Sequence, residues 1–141
     1  MPKISDEAKE QRRDKILQAA LECFSTKGYY ASTVDDIVKS CGLSKGAVYN
    51  YFKGKEEIFL SLLEQRSETI LHDLKERLAE ISSPLEKLKY WIRTDIPYNL
   101  EKKKFMHVHI ESWLYATDAP HVQKELKARF DTLYKLTEEI I

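Results

Sequence analysis

Apolar residues recur along this chain at helical spacing almost from end to end. Ile16, Leu17, Ala20, Leu21 and Phe24 form one stripe, which predicts a first helix over about 6–27, ended by Gly28. Val34, Ile37, Val38 and Cys41 repeat the i, i+3, i+4, i+7 spacing of one buried face in a short second helix. Thr33 is placed to cap that helix, and Asp36 stands where a capping box needs its return partner. Gly42 supplies the left-handed residue that ends it, Leu43 plugs the turn, and Ser44 caps a third helix, KGAVYNYF. Gly54 caps a long fourth helix over about 55–81, with Glu56 and Glu57 in the first turn, where the helix dipole favours anions. Its predicted buried side is Ile58, Phe59, Leu62, Leu63, Ile70, Leu74, Leu78 and Ile81.

Ser83-Pro84-Leu85-Glu86 reads as a helix start, with a Ser cap, Pro at the first helical position and Glu to complete a box. The fifth helix presents Leu85, Leu88, Trp91, Ile92 and Ile96, and Pro97 ends or kinks it. A sixth, about 101–116, shows Phe105, Met106, Ile110, Trp113 and Leu114. Asp118-Ala-Pro opens a seventh with Val122, Leu126, Phe130, Leu133, Leu136 and Ile140. All four glycines lie in the first 54 residues, which suits long helices afterwards and argues against strand-turn-strand architecture. The pattern predicts an all-α protein.

One stretch carries chemistry as well as structure. Two short helices joined by a glycine turn, residues 33–52, have the form of a helix-turn-helix, whose second helix enters the DNA major groove. Around it, residues 10–59 resemble the N-terminal domain of the TetR/AcrR family of bacterial transcriptional regulators. The matching pieces are I-L-x-A-A-L-x-x-F-x-x-K-G-Y, T-V-D-D-I-V-K and G-L-S-K-G-A-V-Y-x-Y-F-x-x-K-E-E, in the family's order and spacing. The resemblance implies a three-helix DNA-binding domain over about 10–70 and a helical regulatory domain over 71–141. Family members continue through two further helices that build the dimer. The seventh helix here is still uncapped at Ile141, which predicts that the chain is truncated at its C-terminus.

Composition narrows the classes. With 141 residues, the chain fits one domain, or one small domain and part of a second. No apolar run approaches the roughly 18 residues of a membrane span, and no signal peptide opens the sequence. Cys23 and Cys41 fall at apolar helical positions and are expected as reduced core residues, which implies a cytoplasmic setting. Net charge is zero, yet residues 1–55 carry ten Lys/Arg against seven Asp/Glu, and 56–141 carry thirteen against sixteen. Binding DNA needs a basic face rather than a basic protein, so the zero sum excludes nothing.

The resemblance assigns DNA contacts residue by residue. Lys45, Gly46 and Ala47 match positions that meet bases: Lys45 donating to guanine, Gly46 allowing close approach, Ala47 meeting a thymine methyl or sugar. Ser44 caps that helix beside them. Tyr49 and Asn50 match positions on phosphate or base edges, and Lys55 matches a phosphate anchor. Thr33 would serve phosphate at the second helix, and Arg12 or Arg13 at the first, unless the latter simply cover a solvated helix end. Asp35 stands where some relatives carry a basic residue; a carboxylate there can accept from cytosine N4 or face solvent. Val48 and Phe52 belong to the core, Tyr49 to the DNA face, and Tyr51 fits either.

Helices five to seven are rich in aromatics. Trp91, Asp95, Tyr98, Phe105, His109, Trp113, Phe130 and Tyr134 are candidates for an effector pocket, against the plainer reading of ordinary helix packing. His107 and His109 point to different sides of a helix, so no metal site is expected, and no cofactor motif is present. Nor is there a phosphate-cradling glycine loop, a C-x-x-C pair, H-E-x-x-H or G-x-S-x-G, so an enzyme is not expected. The function implied is a ligand-responsive repressor. It would act as a homodimer on a palindromic operator and be released by a small hydrophobic or amphipathic effector. The alternatives are an activator, or a scaffold whose helix-turn-helix pairs with a partner protein.

Overall fold

The computed structural model describes residues 3–95 and 100–140. Among these it contains seven helices and no strand: α1 Asp6–Lys27, α2 Val34–Cys41, α3 Lys45–Tyr51, α4 Lys55–Ala79, α5 Pro84–Asp95, α6 Leu100–Asp118 and α7 Pro120–Ile140. The chain divides into two compact units, 1–65 and 66–141.

The first unit is built on local signals that the sequence states openly. Ser5 caps α1 by accepting from the Ala8 amide at 3.2 Å. Gly28 closes it at φ 85°, its N–H donating to Phe24 O at 3.0 Å, a conformation that a side chain would strain. The capping box of α2 is complete. Thr33 Oγ1 accepts from the Asp36 amide at 3.1 Å, and Asp36 Oδ2 accepts from the Thr33 amide at 2.9 Å. Gly42 ends α2 at φ 72°, and Ser44 Oγ accepts from the Ala47 amide at 3.1 Å to start α3. At the head of α4 the carboxylate of Glu57 reaches back to the Lys53 amide at 2.6 Å.

The core of this unit is Ile16, Leu17, Leu21 and Phe24 from α1, Ile37 from α2, Val48 from α3, and Ile58, Phe59, Leu62 and Leu63 from α4, all sealed from solvent. Phe59 meets Phe24 edge-on at 5.4 Å and Tyr29 at 4.4 Å between centroids. Ser32 is also buried, its hydroxyl within bonding reach of Gly28 O at 2.7 Å and Cys23 O at 3.2 Å. Of the predicted α2 face, Ile37 alone is fully buried, and Val34, Val38 and Cys41 are half-buried. Cys23 takes the core place expected of it, and burial pushes its thiol pKa up, whereas Cys41 is only half-buried rather than in the core.

In the second unit α6 packs against α7. Here the sequence reading chose the wrong face of a helix. Ile110, Trp113 and Leu114 are exposed, while Val108, Ser112 and Ala116 are buried. Val108, Ser112 and Ala116 recur at i, i+4 and i+8 along one face of α6, and Ala119, Val122 and Leu126 are buried as well. The hydroxyl of Ser112 is satisfied by its own helix, donating to His109 O at 2.6 Å. On α5, Leu85, Leu88 and Ile92 are likewise exposed rather than buried. On α4, Leu74 and Leu78 are buried as predicted, but Ile70 is exposed and Ile81 lies beyond the helix end, half-buried. Ile96 and Pro97 fall outside the described residues. No helix here is long and apolar enough to cross a membrane.

Candidate nucleic-acid interface

The face of α3 follows from its length and spacing. A helix of seven residues has two sides, and Val48, with Phe52 just past its end, commits one of them to the core. The opposite side then carries Lys45, Gly46, Tyr49 and Asn50, all exposed, and Tyr49 shows 45% of its surface. Ala47 and Tyr51 lie at the boundary, half-buried. None of the four exposed residues is needed to fill the core.

Gly46 is informative because nothing inside the protein asks for it. Its φ is not positive, and a Cβ placed there would meet no atom within 4 Å. A glycine inside a helix costs about 0.5–1 kcal/mol relative to alanine. Gly46→Ala is therefore expected to raise stability by about that much in urea denaturation. A loss of stability would mean that the fold, not an outside partner, demands the glycine.

The caps frame this face. Thr33 and Ser44 use their hydroxyl oxygens as acceptors inside the protein. Each hydroxyl hydrogen remains a donor. Asp36 is held below the ordinary carboxylate range, first by the Thr33 amide and then by Lys27, whose Nζ lies 3.1 Å away. That second bond joins the end of α1 to the start of α2. Lys45 is not a bare cation. Its Nζ lies 2.9 Å from Asp35 Oδ1, and this hydrogen bond raises the lysine's pKa.

Two further basic residues are placed by aromatic rings. The Arg13 guanidinium sits 5.5 Å from the centroid of Phe52, which brings Arg13 to the end of α3, with Arg12 half-buried beside it. Lys55 is turned inward. Its Nζ donates to Tyr29 O at 2.8 Å and Tyr30 O at 3.4 Å, and it lies 4.3 Å from the centre of the Tyr29 ring. The sequence offered no signal for this, since the partners stand 25 and 26 residues away.

In the second unit, four of the aromatic candidates come together. Phe105, His109 and Trp113 climb one side of α6 at centroid spacings of 5.7 and 5.2 Å, and Phe130 of α7 lies 6.0 Å from Trp113. Trp91 is half-buried, and Tyr134 is exposed at 67%. Tyr98 and the side chain of Asp95 fall outside the described residues. Among the described residues no cluster of His, Cys, Asp or Glu has the makings of a metal site.

The family model of bacterial regulatory proteins, tetR family, matches residues 16–62, which span the α2–α3 pair. The uncharacterised HTH-type transcriptional regulator YfiR of Bacillus subtilis is 33% identical over 118 residues, covering 79% of this chain and 57% of that protein. The HTH-type transcriptional repressor KstR2 of Mycolicibacterium smegmatis is 38% identical over 77 residues, 55% of this chain and 38% of the repressor. The chain thus spans about half the length of the curated relatives it matches. A TetR family transcription regulator from Marinobacter aquaeolei superposes with a TM-score of 0.79 over 96% of this chain and 71% of its own. At 21% identity, that likeness establishes the all-helical fold.

Proposed function

Because the chain belongs to the TetR/AcrR family of bacterial transcriptional regulators, we propose that it reads a specific DNA sequence through α3 and represses transcription from it. The observation that carries this reading is the exposed face of Lys45, Gly46, Tyr49 and Asn50, which the fold does not require. Such a face enters the major groove with its lysine toward guanine and its glycine admitting the DNA closely. Ala47 meets bases or sugar at its margin. The hydroxyls of Thr33 and Ser44, with Arg12 and Arg13, serve the backbone and set the register.

The domain reading follows. Residues 10–70 form the DNA-binding module and 71–141 belong to the regulatory part. Two copies in a dimer would place two α3 helices on half-sites about 34–36 Å apart, so the operator is a near-palindrome. The ladder of Phe105, His109, Trp113 and Phe130 supports a hydrophobic or amphipathic effector, which acts by favouring one of two spacings of the reading heads. No catalytic step is proposed, and the setting that fits a DNA-bound regulator is the cytoplasm.

Fluorescence anisotropy tests the reading. The labelled duplex carries the intergenic DNA upstream of the protein's own gene, with a random duplex as control, at two salt concentrations. Binding should prefer the upstream duplex and weaken steeply with salt. Lys45→Ala/Asn50→Ala should erase most of that preference, at least tenfold, since each base contact is worth about 1–3 kcal/mol. Gly46→Ala should bind more weakly while folding better. No binding to either duplex at low salt would overturn the proposal in favour of a protein partner.

A further inference from the structure

Asp35 is hard to explain if α2 and α3 merely need to attract DNA. The capping box of α2 is closed by Asp36, and Lys27 also pairs with Asp36, so neither needs Asp35. A carboxylate beside Lys45 repels phosphate and neutralises the one basic residue of α3. Both side chains are nevertheless open to solvent, Lys45 at 59% and Asp35 at 61%, and their charged atoms lie 2.9 Å apart.

That spacing has a counterpart on DNA. On the major-groove edge of a G·C pair, guanine O6 accepts and cytosine N4 donates. These two atoms are hydrogen-bonded to each other, and so lie about 2.9 Å apart. The cytosine amino group has two hydrogens; one is spent on guanine, and the other faces the groove. We propose that Asp35 and Lys45 act as a single reader of one G·C base pair, Lys45 donating to guanine O6 and Asp35 accepting from cytosine N4. The four atoms close a ring of hydrogen bonds, in which the ion pair and the base pair both persist. Lys45 has three donors, so it keeps its bond to Asp35 while gaining one to guanine. The carboxylate also holds the long lysine in one arrangement before DNA arrives, which lowers the ordering cost of binding. Lysine alone reads guanine; the pair also reads the partner strand. Asp35 is thereby a specificity-determining residue, and the assignment rests on the DNA-reading function proposed above.

The test begins with selection from a random duplex pool by the wild-type chain, followed by sequencing. A motif containing an invariant G·C pair is expected. Enrichment of no sequence would overturn the DNA-reading function itself; a motif without such a pair would overturn this proposal alone. The selected duplex is then rebuilt with N4-methylcytosine at the invariant position. The methyl group leaves Watson–Crick pairing intact but replaces the groove-facing hydrogen. Wild-type affinity should fall about tenfold to a hundredfold, the range of a lost base contact. Asp35→Ala should bind the plain duplex more weakly than wild type, and the methylated and plain duplexes alike. Asp35→Asn, which keeps an acceptor oxygen, should retain the sensitivity to methylation. The proposal fails if the wild type ignores the methyl group, if Asp35→Ala feels it equally, or if Asp35→Ala tightens binding to every duplex alike.

Discussion

Phe59→Ala is expected to remove about 3–5 kcal/mol from the stability of residues 1–65, the range for truncating a buried aromatic. The side chain is fully buried, and two rings, Phe24 and Tyr29, lean on it from the end of α1 and the turn that follows. Little in this cluster can fill the space left behind, because Ile58, Leu62 and Leu63 are themselves locked in the core. Small domains hold only about 5–15 kcal/mol in total, so the loss is a large fraction of what keeps α3 presented. Urea denaturation followed by circular dichroism should show the earlier transition, and DNA binding should fall with it. A loss under about 1 kcal/mol would mean that the cluster collapses around the cavity and is not the keystone of this unit.

Lys55→Met comes second, at about 2–3 kcal/mol. Methionine keeps most of the apolar stem and deletes the ammonium. What disappears is a charged hydrogen bond to Tyr29 O at 2.8 Å, a longer one to Tyr30 O and the contact with the Tyr29 ring. Charged hydrogen bonds contribute about 1.5–3 kcal/mol and an exposed cation–π contact about 0.5–1 kcal/mol. The family resemblance instead makes Lys55 a phosphate anchor, and the two roles leave different signatures. Loss of a phosphate contact lowers the salt slope of DNA binding by about one at unchanged stability. Loss of the inward ties lowers the melting temperature and leaves the salt slope as it was. The second outcome is the one expected here, because the ammonium already shares its protons with two carbonyls.

The contrast between these residues shows where sequence reading succeeds and where it stops. Helix boundaries in the first 54 residues were legible because each rests on a local device: Thr33 with Asp36, Gly42 with its positive φ, Ser44 with the Ala47 amide. Val48 and Phe52 were legible as core for the same reason, since a short helix between two caps leaves little choice of face. Lys55 was not legible inwardly, because the carbonyls it serves are remote in sequence and backbone oxygens carry no residue signature. Nor was the choice that Arg13 makes of the Phe52 ring. On α6 the error has a definite cause. Large apolar residues were assumed to face inward, but α6 buries the row Val108, Ser112 and Ala116, and a helix that buries that row turns Ile110, Trp113 and Leu114 toward solvent. Of the effector candidates, the sequence supplied the rings; it could not supply which of them stack.

The placement of the indoles has an optical consequence. Both tryptophans, Trp91 and Trp113, lie in residues 66–141, whereas residues 1–65 carry only tyrosines and phenylalanines as fluorophores. Emission excited at the red edge, where tyrosine does not absorb, therefore originates entirely outside the unit that would touch DNA. A compound settling beside the His109–Trp113 pair should change that emission directly. α3 belongs to a unit without an indole, so a shift that a duplex produces in the same signal is read out in residues 66–141. The protein thus carries its own label for coupling, and no dye needs to be attached.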